Sequence, residues 1–545
     1  MGSPAVSPVT SAKAGARRLA ILSVLPVLSA LPVLSVLTAH LIINAVTPYG
    51  FHRDEFLYLA MGRHLRLWSM DFPPFIALAS KATLATLGSS LIAIRFLPAV
   101  TSALLVLLAA LIARRLGGGR YAQASAGLAV ALSPLFLRAG NLLQPVVFDQ
   151  LWWTLSLYSV LAICDSETGG RSDSWTARPS TRDRRPATTS NWLLLGLYLG
   201  LGLLTKFSIA FIGIGIVAAV LITPTRRWLL TPWPWLALVV ALAIGSPSIV
   251  GQVRLHFPVV GQMHDLQSSQ LDRISPLAFL NGQLQMFGPV ILLALLGLVQ
   301  LLRGRYATAG WAILATFVLL IFLKGKAYYV GPIYPTLFAA GAVCLEQIAV
   351  PRVSRLARGL WYGIPILVIV AFGAIAFPIG VPILPPAAMD AYARKIGVTS
   401  TTNTGETIAL PQDYADMLGW EQQVDSTAKV FHSLSREEQQ EAVILGTSYG
   451  RAGANDQLGA RLGLPPAVSP VGSYWYFGPG RKPGKVVIVI GGSRADVTPY
   501  FDSVSLGARI INPWRVPEER DVSIWVARGP HQTLQEMWGR WEGEN

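Results

Sequence analysis

The chain has 545 residues, 52 % of them hydrophobic and 13 % charged, where an ordinary soluble domain carries roughly a quarter charged residues, so disordered and fibrous classes are excluded. Two cysteines exclude a disulfide scaffold and any Cys-based zinc cluster. The formal charge of +15 suggests nucleic acid until it is divided: residues 1–380 hold 29 Lys and Arg against 11 Asp and Glu, and residues 381–545 are slightly acidic. The basic residues punctuate apolar runs, which is a membrane pattern and not a nucleic-acid-binding one.

In chain order, apolar runs lie near 19–43, 89–113, 121–137, 146–164, 192–205, 207–223, 235–250, 283–302, 307–323, 332–349 and 360–379. Their lengths predict a polytopic α-helical membrane protein with about eleven crossings of a ~30 Å hydrocarbon core. The first run follows Lys13, Arg17 and Arg18 and lacks a small-residue cleavage site, so it reads as a retained helix and not a signal peptide. Pro26 and Pro32 inside it are tolerated where neighbouring helices satisfy the freed backbone.

With a cytoplasmic N-terminus, the inner segments collect Arg114, Arg115, Arg120, the arginines between 171 and 185, Arg226, Arg227, Arg303, Arg305, Arg352, Arg355 and Arg358. The positive-inside rule selects that orientation in the cytoplasmic membrane, and an odd number of crossings puts the C-terminus outside. Residues 165–190, rich in Ser, Thr, Arg and Pro, form a cytoplasmic loop, either a solvated linker or a contact to anionic headgroups. Cys164 and Cys344 fall near inner helix ends and read as packing residues.

Residues 381–545 form a separate extracytoplasmic α/β domain following the 1–380 transmembrane domain. Residues 442–445, 486–490 and 522–526 read as short buried strands, with helical stretches at 412–430 and 434–441. Gly491-Gly492-Ser493 lacks the spacing of a nucleotide loop and reads as a strand-ending turn.

The acids of the first 380 residues single out the outer boundary, where Asp54, Glu55, Asp71, Asp149, Asp265 and Asp272 fall. Carboxylates so close to a bilayer need a wet cavity or a partner. Asp54, soon after the first helix, is either a base at headgroup level, held ionised by Arg53, Arg63 or Lys81, or the N-cap of a helix beginning near Glu55. His256 and His264 beside Asp265 and Asp272 suit a divalent metal, proton transfer or plain hydrogen bonding. Lys324-Gly-Lys326-Ala-Tyr328-Tyr329 suits an anionic headgroup or interfacial anchoring. Lys206, alone between two apolar runs, snorkels or pairs with an anion.

The stretches His52-Arg53-Asp54-Glu55, Asp71-Phe-Pro-Pro74, Phe148-Asp149-Gln-Leu-Trp152, Gly202-Leu-Leu-Thr-Lys206, Lys324–Tyr329, Leu410–Trp420, Ser448–Gly453 and Tyr474–Pro479 together resemble the GT-C-fold glycosyltransferases. The resemblance is to the bacterial branch of family 39, akin to protein O-mannosyltransferases and lipid A aminoarabinose transferases. It implies transfer of a sugar from a polyprenyl-phosphate donor to a lipid, glycan or protein hydroxyl on the outer side of the membrane, with inversion and without a nucleotide cofactor. It implies Asp54 as the base, with Glu55, its usual neighbour, as a second catalytic residue. Lys206, Arg273, Lys324, Lys326, Tyr328 and Tyr329 become the donor-phosphate contacts, and Asp71 and His264 the ligands of a divalent metal ion. The spacing around His264 departs from that branch, and Arg451 stands where the branch usually has an acid.

Two other classes compete. A secondary transporter needs charges near the bilayer midplane and an internal repeat, and the acids here sit at the boundary with no evident repeat. A non-catalytic envelope scaffold, whose outer domain binds wall polymer, is the other alternative.

Overall fold

The computed structural model describes residues 33–167, 189–348 and 354–541. Pro26 and Pro32, Lys13, Arg17 and Arg18, the arginines between 171 and 185, and Arg352 lie outside the described residues, as do the first part of the 19–43 run and most of the 165–190 loop.

Among the described residues, Phe96–Arg115, Pro145–Ser166, Pro232–Arg254, Pro276–Arg303, Ala327–Gln347 and Arg355–Gly380 are long and apolar enough to cross a bilayer. Ile209–Ile222 with Pro224–Leu230, bent by 107°, makes a seventh when taken as one span. Thr189–Thr205 and Ala307–Phe322 coincide with other expected crossings but fall short of the ~20 residues a perpendicular span needs. The expected run at 121–137 is broken. Ser133 is extended, Pro134 cannot continue the preceding helix, and Arg120–Leu132 and Pro134–Ala139 are separate helices. Phe75–Thr86 is a further short apolar helix, absent from the sequence reading.

Beyond Gly380 the helix Pro386–Lys395 leads to a hairpin, β1 (Ser400–Thr401) against β2 (Thr407–Ile408). A five-stranded sheet follows: β3 (Ala442–Gly446), β4 (Ala467–Val468), β5 (Val486–Ile490), β6 (Phe501–Ile511) and β7 (Asp521–Pro530) in the order β4-β3-β5-β7-β6. β4, β3 and β5 are parallel, with Ile444 opposite Ile488, and β7 and then β6 continue the sheet antiparallel. β3 and β5 are buried at every position, as strands covered on both faces must be. Gly491 and Gly492 end β5 with φ of 94° and 70°, and Ser493 caps the helix Arg494–Val497, so this is a turn. The expected helix 412–430 is interrupted: Gln412–Ala415 stops, Gly419 turns the chain at φ 76°, and Trp420–His432 begins.

A single hydrophobic core passes from the helical part into the sheet domain, joining Phe56 to Trp420, Val424 and Ile444. The joint is the helix Arg53–Arg63, in which every residue from Glu55 to Gly62 is buried. It lies against the helix Tyr449–Leu458, and the approach is close enough to require glycine. A Cβ on Gly450 would sit 2.6 Å from Arg53 Cγ, and one on Gly453 would sit 2.6 Å from Phe56 Cβ. Phe56 then meets Trp420 edge to face, with centroids 5.6 Å apart.

Candidate active site

The helix Arg53–Arg63 begins with an unusual cap. His52 is buried, its Nδ1 accepts the Asp54 N–H at 3.1 Å, and its own N–H donates to Glu55 Oε2 at 2.8 Å. This is a capping box with imidazole in the place of a hydroxyl, and two carboxylates in the first turn complement the helix dipole. Asp54 is therefore not the N-cap. Its side chain, 28 % exposed, projects from the first turn. Tyr449 Oη donates to its Oδ1 at 2.9 Å and Gln144 Nε2 donates to its Oδ2 at 3.1 Å. Each oxygen retains a lone pair, which a proton acceptor requires.

Glu55 is placed otherwise, and the expectation of a shared catalytic role is corrected. Neighbours on a helix point about 100° apart, and Glu55 turns into the core, where it and Arg95 are both 0 % exposed. The pair is bidentate, with both N–O distances 2.8 Å, and Glu55 also accepts from Leu143 N at 2.9 Å. With the His52 N–H this makes a saturated carboxylate. Arg95 in turn holds the Gly50 carbonyl at 3.0 Å. Glu55 thus ties Gly50, His52 and Leu143 together, fixing both Asp54 and the loop that carries Gln144.

The arginines and lysine expected to support Asp54 mostly go elsewhere. Arg63 donates to Gln457, and Lys81 is exposed on its helix. Arg53 pairs with other acids, its Nε 3.4 Å from Asp416 and its Nη1 2.9 Å from Glu518, while its charge still reaches Asp54. Sequence reasoning assigned no role to Gln144, Asp413, Asp416 or Tyr449. The last three lie in stretches that carry the family resemblance, which was the available signal.

Four of the expected donor-side residues converge. Lys206 occupies the break between Thr189–Thr205 and Ile209–Ile222, with Nζ 4.6 Å from the centre of the Tyr329 ring and 5.3 Å from that of Tyr328. Lys326 precedes the turn that carries both tyrosines and donates to Asn403 Oδ1 at 3.3 Å. Burial first, then the charge of Lys206, brings the Lys326 ammonium down to about 8, with Asp413 and Asp54 opposing. Lys326 therefore feels the second lysine and the acid at once. Lys324 and Arg273 stand at the exposed margin, Lys324 on Asp272 at 3.2 Å and Arg273 on the Thr404 carbonyl. Arg451 is held by Glu519 at 3.1 Å, Thr447 at 2.5 Å and the Glu518 carbonyl at 2.9 Å.

The residues proposed for a metal do not fit one. Asp71 is buried and accepts from Ser473 Oγ at 2.7 Å, and burial raises its carboxyl pKa. It joins the loop before Pro73 to the sheet domain. His264 is exposed on the helix Pro258–Ser269. Among the described residues no three His, Cys, Asp or Glu side chains converge as a metal ion would require.

No curated protein matches this sequence. The model of the dolichyl-phosphate-mannose-protein mannosyltransferase family matches residues 71–172 and 183–250, a stretch that contains Asp71, Gln144, Asp149 and Lys206. Among solved structures, ArnT from Cupriavidus metallidurans bound to undecaprenyl phosphate superposes with a TM-score of 0.58 at 17 % identity, covering 92 % of this chain and 97 % of that one. The apo form of the same protein gives 0.59 at 16 % identity, with 93 % and 98 % covered. The likeness to ArnT is one of fold, over nearly the whole of both chains, and the family match adds kinship in sequence. The chain thus shares the fold of ArnT over nearly its whole length and, over residues 71–172 and 183–250, is similar in sequence to the dolichyl-phosphate-mannose-protein mannosyltransferases.

Proposed function

We propose that the chain moves a sugar from a polyprenyl-phosphate donor to an acceptor hydroxyl at the outer surface of the cytoplasmic membrane, the N-terminus being cytoplasmic. Asp54 serves as the base, and Lys206 and Lys326 meet the departing phosphate. The observation that carries the reading is a half-open carboxylate whose charge reaches Lys326, the neighbour of Lys206. The ArnT structure holding undecaprenyl phosphate supports a lipid phosphate as the donor carrier.

The reaction needs two charges managed. The acceptor O–H bond breaks and its proton goes to Asp54, while the freed oxygen bonds the anomeric carbon from the face opposite the phosphate. The bond from that carbon to the phosphate oxygen breaks, and its electron pair leaves with the phosphate. A positioned base contributes roughly 10²–10⁴-fold to such a step. Lysines held in a sparsely hydrated site stabilise the leaving charge more than they would in water. Attack from the opposite face inverts the anomeric centre. The acceptor class spans protein Ser or Thr, a lipid and an envelope glycan.

The test is transfer in membranes supplied with radiolabelled polyprenyl-phosphate sugars. Wild-type chain should transfer label, and Asp54→Asn should lose about 10²–10⁴-fold. Label transfer by the Asn variant at the wild-type rate would remove Asp54 as the base.

A further inference from the structure

We propose that Asp416 and Tyr449, both contributed from beyond residue 380, are positioning residues for Asp54, an inference that rests on Asp54 being the base. Neither touches the sugar; each acts on the carboxylate or on its chain neighbours.

Tyr449 acts directly, through its 2.9 Å bond to Asp54 Oδ1. It is the first residue of the helix Tyr449–Leu458, which Ser448 caps and which lies on the helix carrying the base. Asp416 acts through both neighbours of Asp54. His52 Nε2 is 3.8 Å from Asp416 Oδ2, and Arg53 Nε is 3.4 Å from Asp416 Oδ1. The His52 Nδ1 is occupied in capping Asp54, so the neutral ring carries its proton on Nε2, facing Asp416 and, at 3.9 Å, Asp413. That Nε2 is buried and, among the described residues, has no hydrogen-bond partner.

Asp416 is 2 % exposed, and its only side-chain hydrogen bond among the described residues is a long one from Gln412 Nε2, 3.4 Å. Burial raises its carboxyl to about 6; Arg53 and His52 oppose this, and Asp54 and Asp413 reinforce it. A carboxylate buried with loose partners does not favour folding at neutral pH, so its presence asks for another explanation. Its backbone is tightly held, by Gln412 O at 2.9 Å and Trp420 Nε1 at 2.7 Å. The same turn reaches the donor side, because Gln412 Oε1 takes the Asn403 N–H at 2.7 Å and Asn403 takes Lys326. Residues 403–416 therefore set the spacing between the base and a donor-phosphate lysine.

The groups facing Asp54 are His52, Arg53, Tyr58, Lys326, Asp416 and Tyr449; those facing Asp416 are His52, Arg53, Asp54, Asp413, Tyr449 and Arg515. The experiment uses full-length Tyr449→Phe and Asp416→Asn in vesicles with the labelled donor, following kcat, donor KM, pH dependence and thermal unfolding. Expected is a kcat fall of about ten- to a hundred-fold, the worth of one hydrogen bond to a charged group, with donor KM unchanged. For Tyr449→Phe the acid limb should move to higher pH, because losing a donor disfavours the ionised carboxylate. Asp416→Asn should fall in kcat without losing thermal stability near neutral pH. Unchanged kcat in both, or loss of kcat and stability together with an unmoved acid limb, overturns the proposal. An inactive Asp54→Asn beside a fully active Tyr449→Phe would remove the positioning role alone; a fully active Asp54→Asn would remove the base as well.

Discussion

Asp54 meets a phenol and a carboxamide along defined directions, Tyr449 at 2.9 Å and Gln144 at 3.1 Å. On the donor side, Lys206 lies over two ring faces, and Lys326 reaches Asn403 over a long 3.3 Å. The acid is aimed and the cations are cushioned. A base must point one lone pair at one proton, whereas a phosphate with several equivalent oxygens needs charge within reach more than it needs a direction. Ring faces favour a cation without fixing its hydrogens, which leaves them free for an incoming phosphate.

Substitutions can break that contrast, and the largest effect belongs to the acid. Asp54→Asn should cut kcat by roughly 10²–10⁴-fold at a nearly constant donor KM, read from initial rates over a donor series. Lys206→Met or Lys326→Met should cost about 10²–10³-fold in kcat/KM and raise donor KM, the signature of a group that holds the donor already in the ground state. Glu55→Gln should lower unfolding stability by about 3–5 kcal/mol, since it leaves Arg95 buried without its counter-charge; denaturant unfolding of purified protein in detergent measures this.

Smaller effects sharpen the contrast. Lys326 loses its cation as pH rises through about 8, so kcat/KM for the donor should fall on that alkaline side. Lys326→Arg should carry the limb upward, because guanidinium stays protonated. Lys324→Ala removes an exposed ion pair with Asp272 and should change stability by less than about 1 kcal/mol, leaving turnover close to wild type.

Much of the site was legible because its chemistry is scarce in an apolar chain. An acid soon after the first helix, a lone lysine between two apolar runs and a lysine beside paired tyrosines each stand out locally, and the structure brings Asp54, Lys206, Lys326, Tyr328 and Tyr329 into one neighbourhood. The buried strands β3, β5 and β7 were equally visible as short Val- and Ile-rich runs. The different fate of Glu55 was hidden, because its partner Arg95 stands 40 positions away and nothing local says which of two adjacent acids turns inward. Asp416 and Tyr449 were hidden for the same reason at greater range, since their meaning depends on docking against His52, Arg53 and Asp54. The break at Ser133-Pro134 was written in the sequence, and the apolar flanks on both sides masked it.

The continuous core from Phe56 to Trp420 bears on how the protein is made. A ribosome adding roughly 5–20 residues per second completes the helix Arg53–Arg63 tens of seconds before the surface that will cover it exists. Through that interval the side of Phe56 that will meet Trp420 and Gly453 is uncovered, and the half-built site is open to chaperones and proteases. Truncations that end near residue 380 should therefore be cleared from the cell and not accumulate as a membrane-embedded half.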